Sequence, residues 1–122
     1  MPSRQVVAKE LTDIFKILAH PDRIRLIEEL RVGELDVNTL HERLDLRAAR
    51  VSQHLGLMRA FRIVEERREG RHVYYHLTQP ELADWIIEGL RFLECRFTEN
   101  GANKSALEDA KWLWTHPEAA KS

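Results

Sequence analysis

Residues 46–64, LRAARVSQHLGLMRAFRIV, carry four arginines, Arg47, Arg50, Arg59 and Arg62, and no acid. The chain of 122 residues is otherwise nearly neutral, with 19 Lys and Arg against 20 Asp and Glu. From Arg47 to Arg71 seven arginines stand against three glutamates, Glu65, Glu66 and Glu69, which puts this window at +4 and the remainder near −5. No lysine occurs between Lys16 and Lys104. Arginine's planar fork meets phosphate oxygens and guanine edges in a bidentate way that a lysine point charge does not. A solvated helix face usually mixes both signs, whereas a surface that meets a polyanion sheds its acids. A GC-rich genome would also favour arginine, so spacing has to decide.

Other reactive side chains are sparse. His72 and His76 share a strand face, but lie about 13 Å apart by strand rise, too far for one metal ion. His54 falls within the arginine-rich segment, where a phosphate or local backbone contact is the expected role. The single cysteine, Cys95, excludes an internal disulfide, argues for a reducing compartment and has no sequence-visible base beside it. No Gly-rich phosphate loop occurs. The residues therefore suggest neither an enzyme nor a cofactor. No apolar run reaches the roughly 18 residues of a membrane span, and the N-terminus, MPSRQVVAKEL, lacks a signal-peptide core. A cytoplasmic protein is expected.

The elements that position these groups follow from periodicity. Val7, Leu11, Ile14, Phe15 and Leu18 predict a first amphipathic helix over 3–19. Pro21 opens a second, which Ile24, Leu26, Ile27 and Leu30 carry to about Arg31 before Gly33 ends it. A short helix over 38–44 and a turn at Asp45-Leu46 lead to a helix over about 47–60. Val51, Leu55 and Met58 form the packing face of that helix, with Ala48 beside them. The period then falls to 2. Ile63 and Val64 open one strand, Val73, Tyr75 and Leu77 line a second, and Arg68-Glu69-Gly70-Arg71 forms the hairpin tip. Pro80 opens a last long helix to about Phe97. A polar tail over 98–122 follows, with room for a short helix around Ser105–Trp114.

This order predicts a mainly α fold with a two-stranded hairpin, a winged helix-turn-helix over 1–97 followed by the tail. In such a motif the second helix enters the major groove and its apolar face packs on the domain. The outward residues are then Arg47, Ala49, Arg50, Ser52 and Gln53, with His54 alongside, and Arg67, Arg68 and Arg71 on the wing. Acids are absent where phosphates would repel them. A winged helix adapted to protein contact would instead carry an apolar or acidic surface here.

Three stretches, in order, resemble the arsenic-repressor (ArsR/SmtB) family of winged-helix repressors over roughly residues 10–97. They are Leu18-Ala19-His20-Pro21-Asp22-Arg23-Ile24-Arg25-Leu26, Val51-Ser52-Gln53-His54-Leu55, and Glu69-Gly70-Arg71-His72-Val73-Tyr74-Tyr75-His76-Leu77. The resemblance implies a dimeric repressor that contacts double-stranded DNA through the helix and wing and releases it to an inducer, whose identity the sequence leaves open. Arg47 stands where relatives place a capping serine. Glu34-Leu35-Asp36-Val37-Asn38-Thr39-Leu40 lacks the two thiolates of metal-responsive relatives. Of the family's second metal site only Asp84 matches, while Ile86, Phe97 and Asn100 cannot coordinate. A repressor indifferent to metals is therefore expected.

In the last helix Leu82, Trp85, Ile86, Gly89, Leu90, Phe92, Leu93 and Phe97 span an arc of about 160°, wider than one small core needs. A homodimer through the first and last helices, with Leu11, Leu82, Trp85, Ile86, Phe92 and Leu93 at the interface, accounts for it. The tail, with Trp112 and Trp114, folding back over the arc is the other reading, and the two are compatible. Cys95 falls with Asp84, Glu88 and Arg91 on the polar face. Arg91 favours its thiolate and Glu99 opposes it. Some relatives sense persulfide or oxidant with two thiols, and His41 holds the place of the first. A single-thiol redox response is thus the alternative to an exposed cysteine without a sensing role.

Overall fold

The computed structural model describes residues 2–97 and 101–118. The elements are α1 (Pro2–Leu18), α2 (Pro21–Leu30), β1 (Leu35–Asp36), α3 (Val37–Leu44), α4 (Ala48–Ala60), β2 (Val64–Glu69), β3 (His72–Leu77), α5 (Glu81–Gly89), a 3-10 turn (Leu90–Leu93), α6 (Glu94–Phe97) and α7 (Gly101–Thr115). The chain divides into two compact units, Met1–Gln79 and Pro80–Ser122.

In the first unit local chemistry sets each boundary. His20 caps α2, its Nδ1 accepting the Asp22 backbone N–H at 3.0 Å, with Pro21 at the first helical position. Asp36 caps α3 by accepting the Thr39 N–H at 3.1 Å, and hydrogen bonding with the Thr39 side chain, helped by that N–H, holds its carboxyl below the usual range. The two ends that flank the next turns close alike. After α3 the Leu46 N–H returns to the His41 carbonyl at 3.1 Å, with Asp45 at φ 54°. After α4 the Ile63 N–H returns to the Met58 carbonyl at 2.9 Å, with Arg62 at φ 60°. Both are Schellman closures, which normally place glycine in the left-handed position. Arginine there costs about 1 kcal/mol, and Met58 and Ile63 at the two ends of the closure are both buried.

The core of this unit is built from Leu26, Ile27, Leu40, Val51, Leu55 and Met58, all fully buried, and closed by Val64, Tyr75 and Leu77 from the sheet. The face Val51–Leu55–Met58 is therefore where spacing predicts it. Ala48, expected beside that face, is exposed because it opens the first turn of α4. The hairpin pairs Val64 with Leu77 through to Glu69 with His72. That leaves a two-residue tip with Gly70 at φ 62°, the first central position where such loops favour glycine. A third strand, β1, pairs Leu35 with Tyr75 and Asp36 with Tyr74. Two residues carry no period, so nothing in the pattern announces it.

The second unit departs from expectation. The helix from Pro80 groups with the residues that follow it in the second compact unit. The predicted single helix to Phe97 is broken by the 3-10 turn Leu90–Leu93. The expected short tail helix is longer, Gly101–Thr115, and packs back on that turn and α6. Leu107 and Trp114 are buried there, whereas Trp112 stays half-exposed and stacks on His116 with ring centroids 4.3 Å apart.

Candidate nucleic-acid interface

The outer face of α4 is assembled by sealing its inner one. With Val51, Leu55 and Met58 buried, Arg47, Ala49, Arg50, Ser52 and Gln53 are exposed together. They surround a shallow cleft of ≈ 420 Å³ lined by Asp45, Leu46, Arg47, Ala49, Arg50 and Gln53. Arg47 stands at the N-cap without a side-chain cap bond. The first-turn N–H groups of α4 therefore add their positive end to the arginines.

The segment is acid-free in sequence but not in space. Asp22 Oδ2 lies 3.7 Å from Arg50 Nη1, and Glu66 Oε1 lies 3.3 Å from Arg59 Nη1. Glu66 also accepts the Tyr75 hydroxyl at 3.2 Å, and burial raises the pKa of that phenol. The end of α4 is thereby tied to the wing. Among the described residues Arg47, Arg62 and Arg71 have no carboxylate within ion-pair distance.

Two residues expected at the DNA surface are turned to other work. His54 is only 9% exposed, because its register on α4 points it at α2. Its Nδ1 accepts from Arg23 Nε at 3.2 Å and its Nε2 faces Asp22 Oδ2 at 3.2 Å. The expected phosphate or local backbone contact is thus replaced by side-chain contacts across the domain. Burial lowers the His54 pKa, against the opposing bond to Asp22. Arg67 is exposed but committed. It donates from Nε and Nη2 to Glu34 at 3.1 and 2.5 Å and from Nη1 to Glu69 at 2.7 Å. It also lies over the Tyr74 ring at 4.7 Å, and its two glutamates raise its pKa. Arg68 and Arg71 remain exposed on the wing.

Sequence reasoning missed Asp22 and Arg23 as partners of the recognition helix. The signal was present: these residues and His54 lie in two of the quoted motifs, 31 and 32 positions apart, and the fold brings them together.

His20, Asp22 and His54 present ligand atoms within 4.8 Å of one another, a set that could hold a metal ion. The protons oppose it. A metal on His54 Nε2 forces the imidazole proton onto Nδ1, where the Arg23 N–H already points, so metal and that bond exclude one another. In the stretch corresponding to the family's thiolate site, Glu34 holds Arg67 and Asp36 caps α3. Cys95 is exposed on α6. The 3-10 turn before it advances about 120° per residue instead of 100°, so a helical wheel does not carry across it. Arg91 lies over the Phe92 ring at 5.1 Å, while Glu99 falls outside the described residues. Leu11, Trp85 and Phe92 are 47, 53 and 69% exposed, and Leu82, Ile86 and Leu93 are partly so.

No protein-family model matches the chain. Comparison with known proteins does find relatives. A biofilm growth-associated repressor of Agrobacterium fabrum is 37% identical over 100 residues, 82% of this chain and 85% of the relative. A transcriptional repressor SmtB homolog of Synechocystis is 39% identical over 81 residues, 66% of this chain and 61% of that one. Among solved structures, the transcriptional repressor BigR from Xylella fastidiosa superposes with a TM-score of 0.63 at 30% identity, over 79% of this chain and 94% of that one. With the helix-turn-helix, the arginine-bearing recognition helix and the wing in place, the chain belongs to the ArsR/SmtB family of winged helix-turn-helix transcriptional repressors.

Proposed function

We propose that the chain represses transcription as a homodimer on a pseudo-palindromic operator, without a metal cofactor and without catalysis, in the cytoplasm. The observation that carries the reading is the outer face of α4. Its apolar side is sealed into the core, while Arg47, Ala49, Arg50, Ser52 and Gln53 stand exposed together, with Asp45 at the edge of their cleft and Asp22 beside Arg50 as the nearby acids. In this reading Arg50 and Gln53 meet base edges, where their forks match guanine and adenine. Arg47 and the first turn of α4 meet phosphate, and Arg68 and Arg71 follow the backbone. Arg67 and His54 hold the scaffold. Leu11 of α1 and Leu82, Trp85, Ile86, Phe92 and Leu93 of the second unit form the subunit interface, which would set two recognition helices about 34 Å apart.

Binding of the purified chain to its own promoter, titrated by salt, tests this. Arg50→Ala or Gln53→Ala is expected to cost about 1–3 kcal/mol and relax sequence preference. Zinc, cadmium or arsenite is expected to leave the affinity unchanged. Salt-independent or absent binding to the promoter would sink the reading.

A further inference from the structure

Arg50 and His54 stand one turn apart on the same side of α4, four residues from each other. The same atom, Asp22 Oδ2, reaches both. It lies 3.2 Å from His54 Nε2 and 3.7 Å from Arg50 Nη1. The His54 ring is determined at both nitrogens: Arg23 donates to Nδ1, so the neutral ring carries its proton on Nε2, facing Asp22. Arg23 is anchored in turn by its Nη1 bond to the Ile17 carbonyl at 3.1 Å. One carboxylate at the start of α2 is therefore fixed through a buried histidine and aimed at an arginine whose side chain is 62% exposed.

We propose that Asp22 is a positioning residue for sequence readout, holding the Arg50 guanidinium ready for a base edge and opposing unspecific contact with phosphate. The inference rests on the DNA-binding reading. An exposed ion pair contributes little to stability, so its effect lies in where the guanidinium dwells. Ordering a long side chain before binding removes part of the entropy lost on binding. An anion beside the recognition helix also repels phosphates, a cost paid on any duplex and recovered only where Arg50 finds its base. Both effects widen the gap between operator and other DNA. Simple electrostatics predicts the opposite sign, because removing an acid there should tighten all binding.

The test is fluorescence anisotropy of the full chain on a promoter duplex and a scrambled duplex at one salt concentration. The proteins are wild type, Asp22→Asn, Arg50→Ala and the double variant. Asparagine keeps an oxygen for the His54 N–H and removes only the charge. Asp22→Asn is expected to lose about three- to tenfold on the promoter, with the scrambled duplex unchanged or bound slightly more tightly. In the Arg50→Ala background it should change promoter affinity less than about twofold. Equal losses on both duplexes, tighter binding to the promoter, or the same promoter loss without Arg50 overturns the proposal. A wild type that does not distinguish the duplexes defeats the DNA reading itself. The network is read independently by ¹⁵N NMR of the imidazoles, where His54 should show an unprotonated Nδ1 at neutral pH and a protonated one overturns it.

Discussion

His54 links the protonation of one buried side chain to the stability of the fold. It is buried against His20, whose ring centroid lies 4.6 Å away, and bonded to Arg23 and Asp22, with Arg50 beyond that carboxylate. Desolvation, the larger effect, together with His20 and Arg23, lowers its pKa; Asp22 only partly opposes them. A histidine whose folded pKa lies below its unfolded value of about 6.5 adds stability that is complete above that value. That stability is lost as pH falls below 6.5 toward the folded pKa, because the unfolded chain takes up the proton first. Protonation also places an N–H on Nδ1 opposite the Arg23 N–H. The melting temperature of the wild type should therefore drop between pH 7 and pH 5 more steeply than that of His54→Gln, followed by calorimetry. Equal slopes for the two proteins would remove His54 as the cause.

Among the elements, the wing carries arginines whose proposed role is electrostatic rather than geometric. Arg68 is exposed, its Nε 3.7 Å from Glu66, and Arg71 flanks the Gly70 tip, so neither is committed as Arg67 is. Contacts to phosphate release counterions whatever the sequence. Arg68→Ala or Arg71→Ala should therefore weaken promoter and scrambled duplexes alike and reduce the log–log salt slope by about 1 each. A loss confined to the promoter would make them base readers instead. The wing was legible in sequence because its period of 2 and Gly70 are local signals, as was the 3.6 period of α4. What was not legible depends on partners distant in the chain. The inward turn of His54 needs Asp22 and Arg23, and the capture of Arg67 needs Glu34. The pairing of Leu35-Asp36 with β3 joins residues 40 and 38 positions apart, without a pattern of its own. The break at Leu90–Leu93 likewise has no punctuation beyond Gly89, and its helical arc gave no warning of it.

At the scale of the molecule the feature that calls for a partner is exposed apolar surface. Val6, Val7, Leu11 and Phe15 of α1 are 47–60% exposed, as spacing along one helix would allow for a stripe that the first unit's core does not take in. Trp85 and Phe92 of the second unit are exposed as well, although α7 has packed back on α6 and the 3-10 turn. Each unit therefore keeps exposed apolar side chains of its own, surface of the kind a second copy of the chain would cover. Phe92 is the most informative position because it is 69% exposed in the single chain. A glutamate there should cost the isolated chain little. At a subunit interface the same charge would be desolvated without a partner, at a cost of several kcal/mol. Phe92→Glu is thus expected to keep its helix content and melt cooperatively, yet run as a monomer in light scattering at tens of micromolar, where the wild type is a dimer. Its promoter affinity should fall toward that for scrambled DNA, since two half-sites are no longer bound as one unit. A Phe92→Glu protein that remains dimeric would move the interface off this turn, and a monomeric wild type at the same concentration would remove the dimer altogether.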